Sequence, residues 1–367
     1  MTKTDPASIV VPPHWHDNTE ADNAIAALTA RVVALEGAAP TPPPVAGAIY
    51  GFASAATGGT GKPVVRVTTA AQLIAALALS DTFVSVAPGT YALPSITYLR
   101  GDNVTVQGDA IAPGVTLTGY PIWIADGATN VILRNLRHRG GLDVGESGDC
   151  FVASNGSSLL AFVNLSASGY SDEGLDSWTN NHDITWQDCI VGPGRNPAHN
   201  FAHLIGNHSY NLSIFRTLYH STMYRNPAVG WDDNTSALSP QAIVGDVGNV
   251  IVWNYTAPVG SVAYGTSIYY GAKANVRNSL YKGGIRAGEA VDVMLGAQMY
   301  QSGNVSRDGK TIRGHNVLNP FPVPASAILP VLPVTTDNGA ALIASIKANA
   351  GCRPLDAEDT AALAALS

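Results

Sequence analysis

Charge is scarce in this 367-residue chain: Asp, Glu, Lys and Arg together make up 13% of it. Ion-pair-laced surface helices need more, so a helical bundle is a poor fit. The sign is informative as well. A net charge of −7 argues against a nucleic-acid partner, which normally meets a basic patch. Cysteine is nearly missing: Cys150, Cys189 and Cys352 show no CxxC or Cys/His spacing. Neither a zinc site nor a disulfide framework is expected, and Cys150 and Cys189, inside apolar runs, read as buried free thiols. No run approaches the ~18 apolar residues of a membrane-crossing helix, so no membrane insertion is expected. The opening MTKTDPASIVVPPHWHDNTEADNA lacks a basic stretch followed by an apolar one, so no secretory signal peptide is expected. His14 and His16 look like a metal pair, but no further ligand stands nearby.

What the chain has is glycine, 37 residues of it, which suits many short strands and tight turns. Three segments are expected: a leader over 1–45, a body over 46–320 and a tail over 321–367. Within the leader, residues 25–36 place Ile25, Leu28, Val32 and Leu35 at a and d positions. β-branched residues at both a positions are compatible with two or three strands. So short a helix cannot hold an assembly by itself, but it can clamp a larger one as a homotrimer. A lone amphipathic helix docked on the body is the alternative. The stiff run from Ala39 to Pro44 then marks a boundary near residue 45.

The body repeats. Strand-like runs begin at Asn103, Asn130, Ser158, Asp183, Asn211, Asn249 and Asn275, spaced 27, 28, 25, 28, 38 and 26 residues apart. Periods of that size mark a stacked architecture in which each unit buries its apolar side chains against the next. Several runs carry a second polar residue five positions on: Asn135, Asp188 and Asn254. Such residues suit bends, where Asn tolerates turn conformations and its amide can bond its counterpart one coil away. The expected fold is therefore all-β, a right-handed parallel β-helix. The long step before Asn249 implies a loop insertion holding Tyr224, Arg225 and Trp231. The tail predicts a helix in GAALIASIKANAG, stopped by Gly351 and Pro354.

Taken in order, the segments GFASAATGGTGKPVVRVTTAAQL, NVILRNLRHRGG, GDCFVASNGSSLLAFVNLSASGYSDEGLDSW, NFAHLIG, HSTMYRNPAV, NVIVWNYT and NAGCRPLDAED resemble those of the pectate lyases. The resemblance covers most of residues 46–360. It implies a Ca²⁺ site at Asp149, Asp172 and Asp176, with Glu173 beside them, because convergent carboxylates need a hard cation. It also implies β-elimination of a uronate-containing polysaccharide, with Arg225 of YRNP as the base that takes the C5 proton. Bound calcium and other cations would have to lower its pKa.

Two positions depart from that family. Phe201 stands where a lysine is usual, and Gly230 where a second arginine is usual. His203, His199 and His220 lie close by, and His203 is a second candidate base, since histidine titrates nearer neutrality. Arg195, His199, His220, Tyr224 and Trp231 are candidate substrate contacts, aromatic faces being suited to sugar rings. Trp178, Tyr264, Tyr269 and Tyr270 fall in or near expected loops too. The leading expectation is a lyase that cuts acidic host polysaccharide as part of a phage tail, located in the virion or outside the cell and contacting other tail proteins. The alternatives are a receptor-recognition protein that binds sugar without cleaving it, and a glycoside hydrolase using two of Asp172, Glu173 and Asp176.

Overall fold

The computed structural model describes residues 47–141, 148–231, 242–313, 317–334 and 339–367. The heptads at 25–36 lie outside the described residues. The chain winds as a right-handed parallel β-helix with three sheets of ten, eight and nine strands, every pairing parallel. One coil shows the plan. Phe151–Ser154 belongs to the eight-stranded sheet, Ser158–Val163 to the ten-stranded sheet and Ser166–Ser168 to the nine-stranded sheet. The chain then enters Glu173–Trp178, back on the eight-stranded sheet.

Apolar residues at one phase stack along the interior. Val131, Leu160, Ile184 and Leu212 pair in register and are fully buried, each stabilising the fold by roughly 1.5–3 kcal/mol. Phe162 lies flat on Trp186 at 5.3 Å in the same interior. Cys150, Cys189 and Cys352 are free and buried.

Two corners of each coil need left-handed backbone, which costs most residues roughly 1–2 kcal/mol and Asn or Asp less. Asn103, Asn130, Asp183 and Asn211 occupy the first corner at φ between 54° and 57°. Asn135, Asn164, Asp188, Asn249 and Asn278 occupy the second. The Asn130 amide donates to Asn103 Oδ1 at 2.8 Å, and Asn211 donates to Asp183 Oδ1 at 3.0 Å.

The register corrects the phase of the last two runs, Asn275 lying inside Lys273–Arg277 opposite Asp246. The run at Asn249 is not the counterpart of the run at Asn211: Leu212 pairs with Gly245, whereas Ile251–Tyr255 lies in the nine-stranded sheet. Corner asparagines of both kinds look alike in sequence, and the true counterpart, Gly245–Gly248, has the weak strand composition GDVG.

Two outer faces are covered. A leading segment crosses the ten-stranded sheet, with Tyr50 N–H donating to Gln187, Phe52 N–H to Ser213 and Gly59 N–H to Thr105. Helices α1 (Ala340–Asn349) and α2 (Ala357–Ala364) bring Leu342, Ile346, Leu363 and Leu366 onto Ile190, Leu218, Ile251 and Leu280 of the nine-stranded sheet. Gly351, at φ +87°, follows α1. The connecting backbone is clamped by corner amides: Asn135 bonds both N–H and C=O of Arg353, and Asn249 does the same to Leu332. On the eight-stranded sheet, Tyr98, Trp123, Val152, Asp176 and Leu204 form one outward row by register.

Candidate functional site

A cleft of about 530 Å³ opens along that outward row. Trp123, Val152, Asp176, Trp178, Leu204 and Trp231 come from strands, while Asp149, Asp172, His199 and Arg225 come from the loops leading into them. Side-chain alternation explains the strand residues: Asp176 pairs with Leu204 facing out, and Leu175 pairs with His203 facing in.

Four buried carboxylates gather there: Asp149, Asp172, Glu173 and Asp176. Oxygens of Asp149, Asp172 and Glu173 lie within 4.8 Å of one another. Asp149 accepts the Glu173 backbone N–H at 2.9 Å, and Asp172 meets His199 Nδ1 at 3.1 Å. Asp176 Oδ1 is buried with no hydrogen-bond partner among the described residues. Burial, and then the neighbouring Asp172 carboxylate, push the Asp176 carboxyl up to about 8. This donor set fits calcium: a cation bound at about 2.4 Å spans oxygens of this separation, and an orphaned carboxylate oxygen stands beside them.

Glu173 also reaches Arg225, with its Oε1 in direct contact with the guanidinium. Arg225 has left-handed backbone at φ 60°. Its guanidinium carbon sits 4.4 Å from the Phe201 ring centre and 5.3 Å from that of Trp231. The arginine is thus stacked between two rings and paired to a carboxylate, an arrangement that stabilises its cation.

The cleft brings together Asp149, Asp172, Asp176, His199, Arg225 and Trp231. Tyr224 does not line it; its ring stacks on Tyr264 at 5.7 Å. Three other expected contacts are elsewhere. His203 is inside the coil stack, sharing a 2.9 Å hydrogen bond with the Tyr219 hydroxyl and meeting Trp186 edge-on at 4.4 Å. It is fully buried and so has no route to a substrate as a base; burial also lowers its pKa to about 3. His220 is half-buried at the end of Leu218–His220 on the nine-stranded sheet, where it bonds the Gly192 backbone, and desolvation lowers its pKa to about 4. Arg195 donates to the Gly141 carbonyl instead of lining the cleft.

Gly230, at φ +86°, leaves no room for a side chain: a Cβ there would meet Ala272 Cβ at 2.3 Å. Sequence reasoning overlooked Trp123, although its position between buried Ile122 and Ile124 marks it as outward-facing. It also missed the pairing of Glu173 with Arg225, residues far apart in the chain.

No protein-family model matches the chain, and no curated protein matches it. Solved structures do resemble it. A pectate lyase bound to a hexasaccharide has a TM-score of 0.63 at 15% identity, covering 84% of this chain and 98% of that one. A cedar pollen major allergen, jun a 1, has a TM-score of 0.62 at 13% identity, with 83% and 92% covered. A Bacillus subtilis pectate lyase variant has a TM-score of 0.59 at 16% identity, with 84% and 98% covered. The chain therefore has the parallel β-helix fold found in pectate lyases.

Proposed function

We propose that this protein is a polysaccharide lyase that cleaves a uronate-containing polymer by β-elimination in the acidic cleft. One observation carries the reading: a buried carboxylate cluster and the arginine paired to its Glu173 share one cleft walled by tryptophans. Asp149, Asp172, Glu173 and Asp176 would hold calcium, which when bound supplies the positive charge that lets a uronate carboxylate approach and acidifies its C5 proton.

Trp123, Trp178 and Trp231 offer faces for sugar rings. Arg225 is the cation placed to act on the uronate. To reach the sugar, its guanidinium must leave Glu173. To act as base it would first have to give up its own proton, which the positive charge of a bound cation would favour, and the neutral side chain then takes the C5 proton. The C5 electron pair then forms the C4–C5 double bond while the C4–oxygen bond breaks, and the leaving oxygen takes a proton from solvent water.

The second reading is a recognition protein that binds acidic sugar without turnover. Phe201 in place of a lysine and the Glu173–Arg225 pair favour it. The deciding experiment follows ultraviolet absorbance of unsaturated uronate over a panel of uronic-acid polysaccharides, with calcium and then with chelator. A signal abolished by chelation supports the lyase. Binding with no signal on any polymer leaves recognition.

A homotrimer joined through residues 25–36 and attached to a phage tail remains part of the proposal, supported by the heptad pattern alone. Sedimentation of the chain with and without residues 1–45 tests it: a trimer that becomes a monomer on truncation is expected.

A further inference from the structure

On the loop side of the acidic cleft, four rings follow one another along the solenoid axis. His199 meets Phe201 edge-on at 4.1 Å, Phe201 meets Tyr224 at 5.7 Å, and Tyr224 stacks on Tyr264 at 5.7 Å with 23° between the planes. His199 and Phe201 belong to one coil, Tyr224 to the next and Tyr264 to the one after, and all four are half-buried. The row begins at the cleft, where His199 touches Asp172 and Phe201 carries the Arg225 guanidinium. It ends at a second cavity of about 400 Å³, whose walls include Val262, Tyr264, Glu289 and Lys310.

We propose that this second cavity is a distal subsite for an acidic sugar residue of the polymer held in the cleft, with the uronate carboxylate on the Lys310 ammonium. The inference rests on the uronate reading of the cleft and extends it to a second position. Three observations carry it. The cavity is built from loops that feed the same eight-stranded sheet, as the bridges Ala263–Ala287 and Val291–Ile312 show, so it lies in line with the cleft.

Coils stack about 4.8 Å apart, close to the advance of one pyranose along an extended polysaccharide, so a row with one aromatic position per coil keeps pace with a sugar chain. The charges are also allotted suitably. Glu289 is occupied by Arg313 at 3.1 Å, whereas no ion pair among the described residues engages Lys310. Lysine presents a compact charge on a flexible stem, suited to a carboxylate whose position varies from sugar to sugar. The cleft would thus hold the polymer at one end and Lys310 at the other, making affinity depend on chain length.

The test is calorimetric titration of the full chain, with calcium present, using galacturonate, glucuronate and mannuronate–guluronate oligosaccharides of graded length. Wild-type affinity should rise once an oligosaccharide is long enough to span both cavities. Lys310→Glu should lose about fivefold or more on those long chains and bind the shortest ones as wild type does. Lys310→Arg should keep the length dependence, and an unchanged melting temperature in both variants shows that the fold is intact. If Lys310→Glu matches wild type at every length, the distal subsite is wrong while the cleft reading stands. If wild type binds none of the oligosaccharides, the cleft reading itself falls and takes the subsite with it.

Discussion

The corner ladders and the acidic cleft use the same geometry with opposite results. Both stack polar residues on successive coils about 4.8 Å apart. At the corners the stacked group is mostly an amide, which donates on one side and accepts on the other. Asn130 therefore bonds Asn103, and spare amide atoms clamp the backbone of Thr57, Arg353 and Leu332. In the cleft the stacked group is a carboxyl, which when ionised only accepts. Asp149, Asp172, Glu173 and Asp176 cannot satisfy one another, and Asp176 Oδ1 is left with no partner among the described residues. A self-complementary group builds a scaffold; a group that is not creates a demand for a cation. Glu173 meets that demand with Arg225.

The comparison is broken most severely at that ion pair. Arg225→Ala should destabilise the metal-free protein by about 3–5 kcal/mol, because Glu173 would stay buried without its partner. Denaturant unfolding measures this, and adding Glu173→Gln should recover part of the loss. The single variant should also show no lyase signal. If stability is unchanged, Glu173 has another partner or is solvated.

Next in size is the pH response of the unpartnered carboxylate. The Asp176 carboxyl is raised from 3.8 to about 8 in the folded chain. The folded form therefore disfavours its ionisation. Stability is complete below the unfolded value near 4 and falls as pH rises toward 8, by a few kcal/mol. Melting temperatures of chelated protein should decline across that window, calcium should reverse the decline, and Asp176→Asn should flatten it. Buried His203 and His138, lowered to about 3 and about 4, work the other way, with stability lost as pH falls below 6.5.

The ladder itself gives a smaller effect. Asn130→Ala removes amide bonds to Asn103, Thr57 and Gly58 and leaves a β-carbon in left-handed backbone, for a loss of about 1–3 kcal/mol. Asn130→Gly should lose less, since only the bonds go. Comparable in size is Phe201→Ala, which takes one ring from Arg225 together with packing against His199, Tyr224 and the core, and should cost about 1–3 kcal/mol, measured by thermal melting.

Much of this was readable beforehand, for definable reasons. Corner asparagines announce themselves because few other residues accept φ near 55° so easily, and their spacing follows from the length of a coil. The repeat was therefore visible although it lost phase at Asn249, where a second-corner asparagine stands after a weak strand, and at Asn275, which pairs with Asp246 inside its strand. The resemblance also singled out Asp149 and Asp172, whose oxygens gather with that of Glu173, and Asp176, whose carboxyl feels the Asp172 charge. Other features depend on direction. His203 was mistaken for a cleft residue because a strand residue's face is set by register, and its partner Leu175 points inward.

By itself, then, the sequence determined the stacking: periodic apolar runs, turn-tolerant corner residues and the shortage of charge leave little except a parallel solenoid. Which residues meet was decided by the tertiary structure. Winding the chain into coils makes neighbours of Glu173 and Arg225, of Phe201 and Tyr224, and of Tyr224 and Tyr264. Those contacts join residues from different coils, so their distances depend on register and loop path, which local composition does not encode.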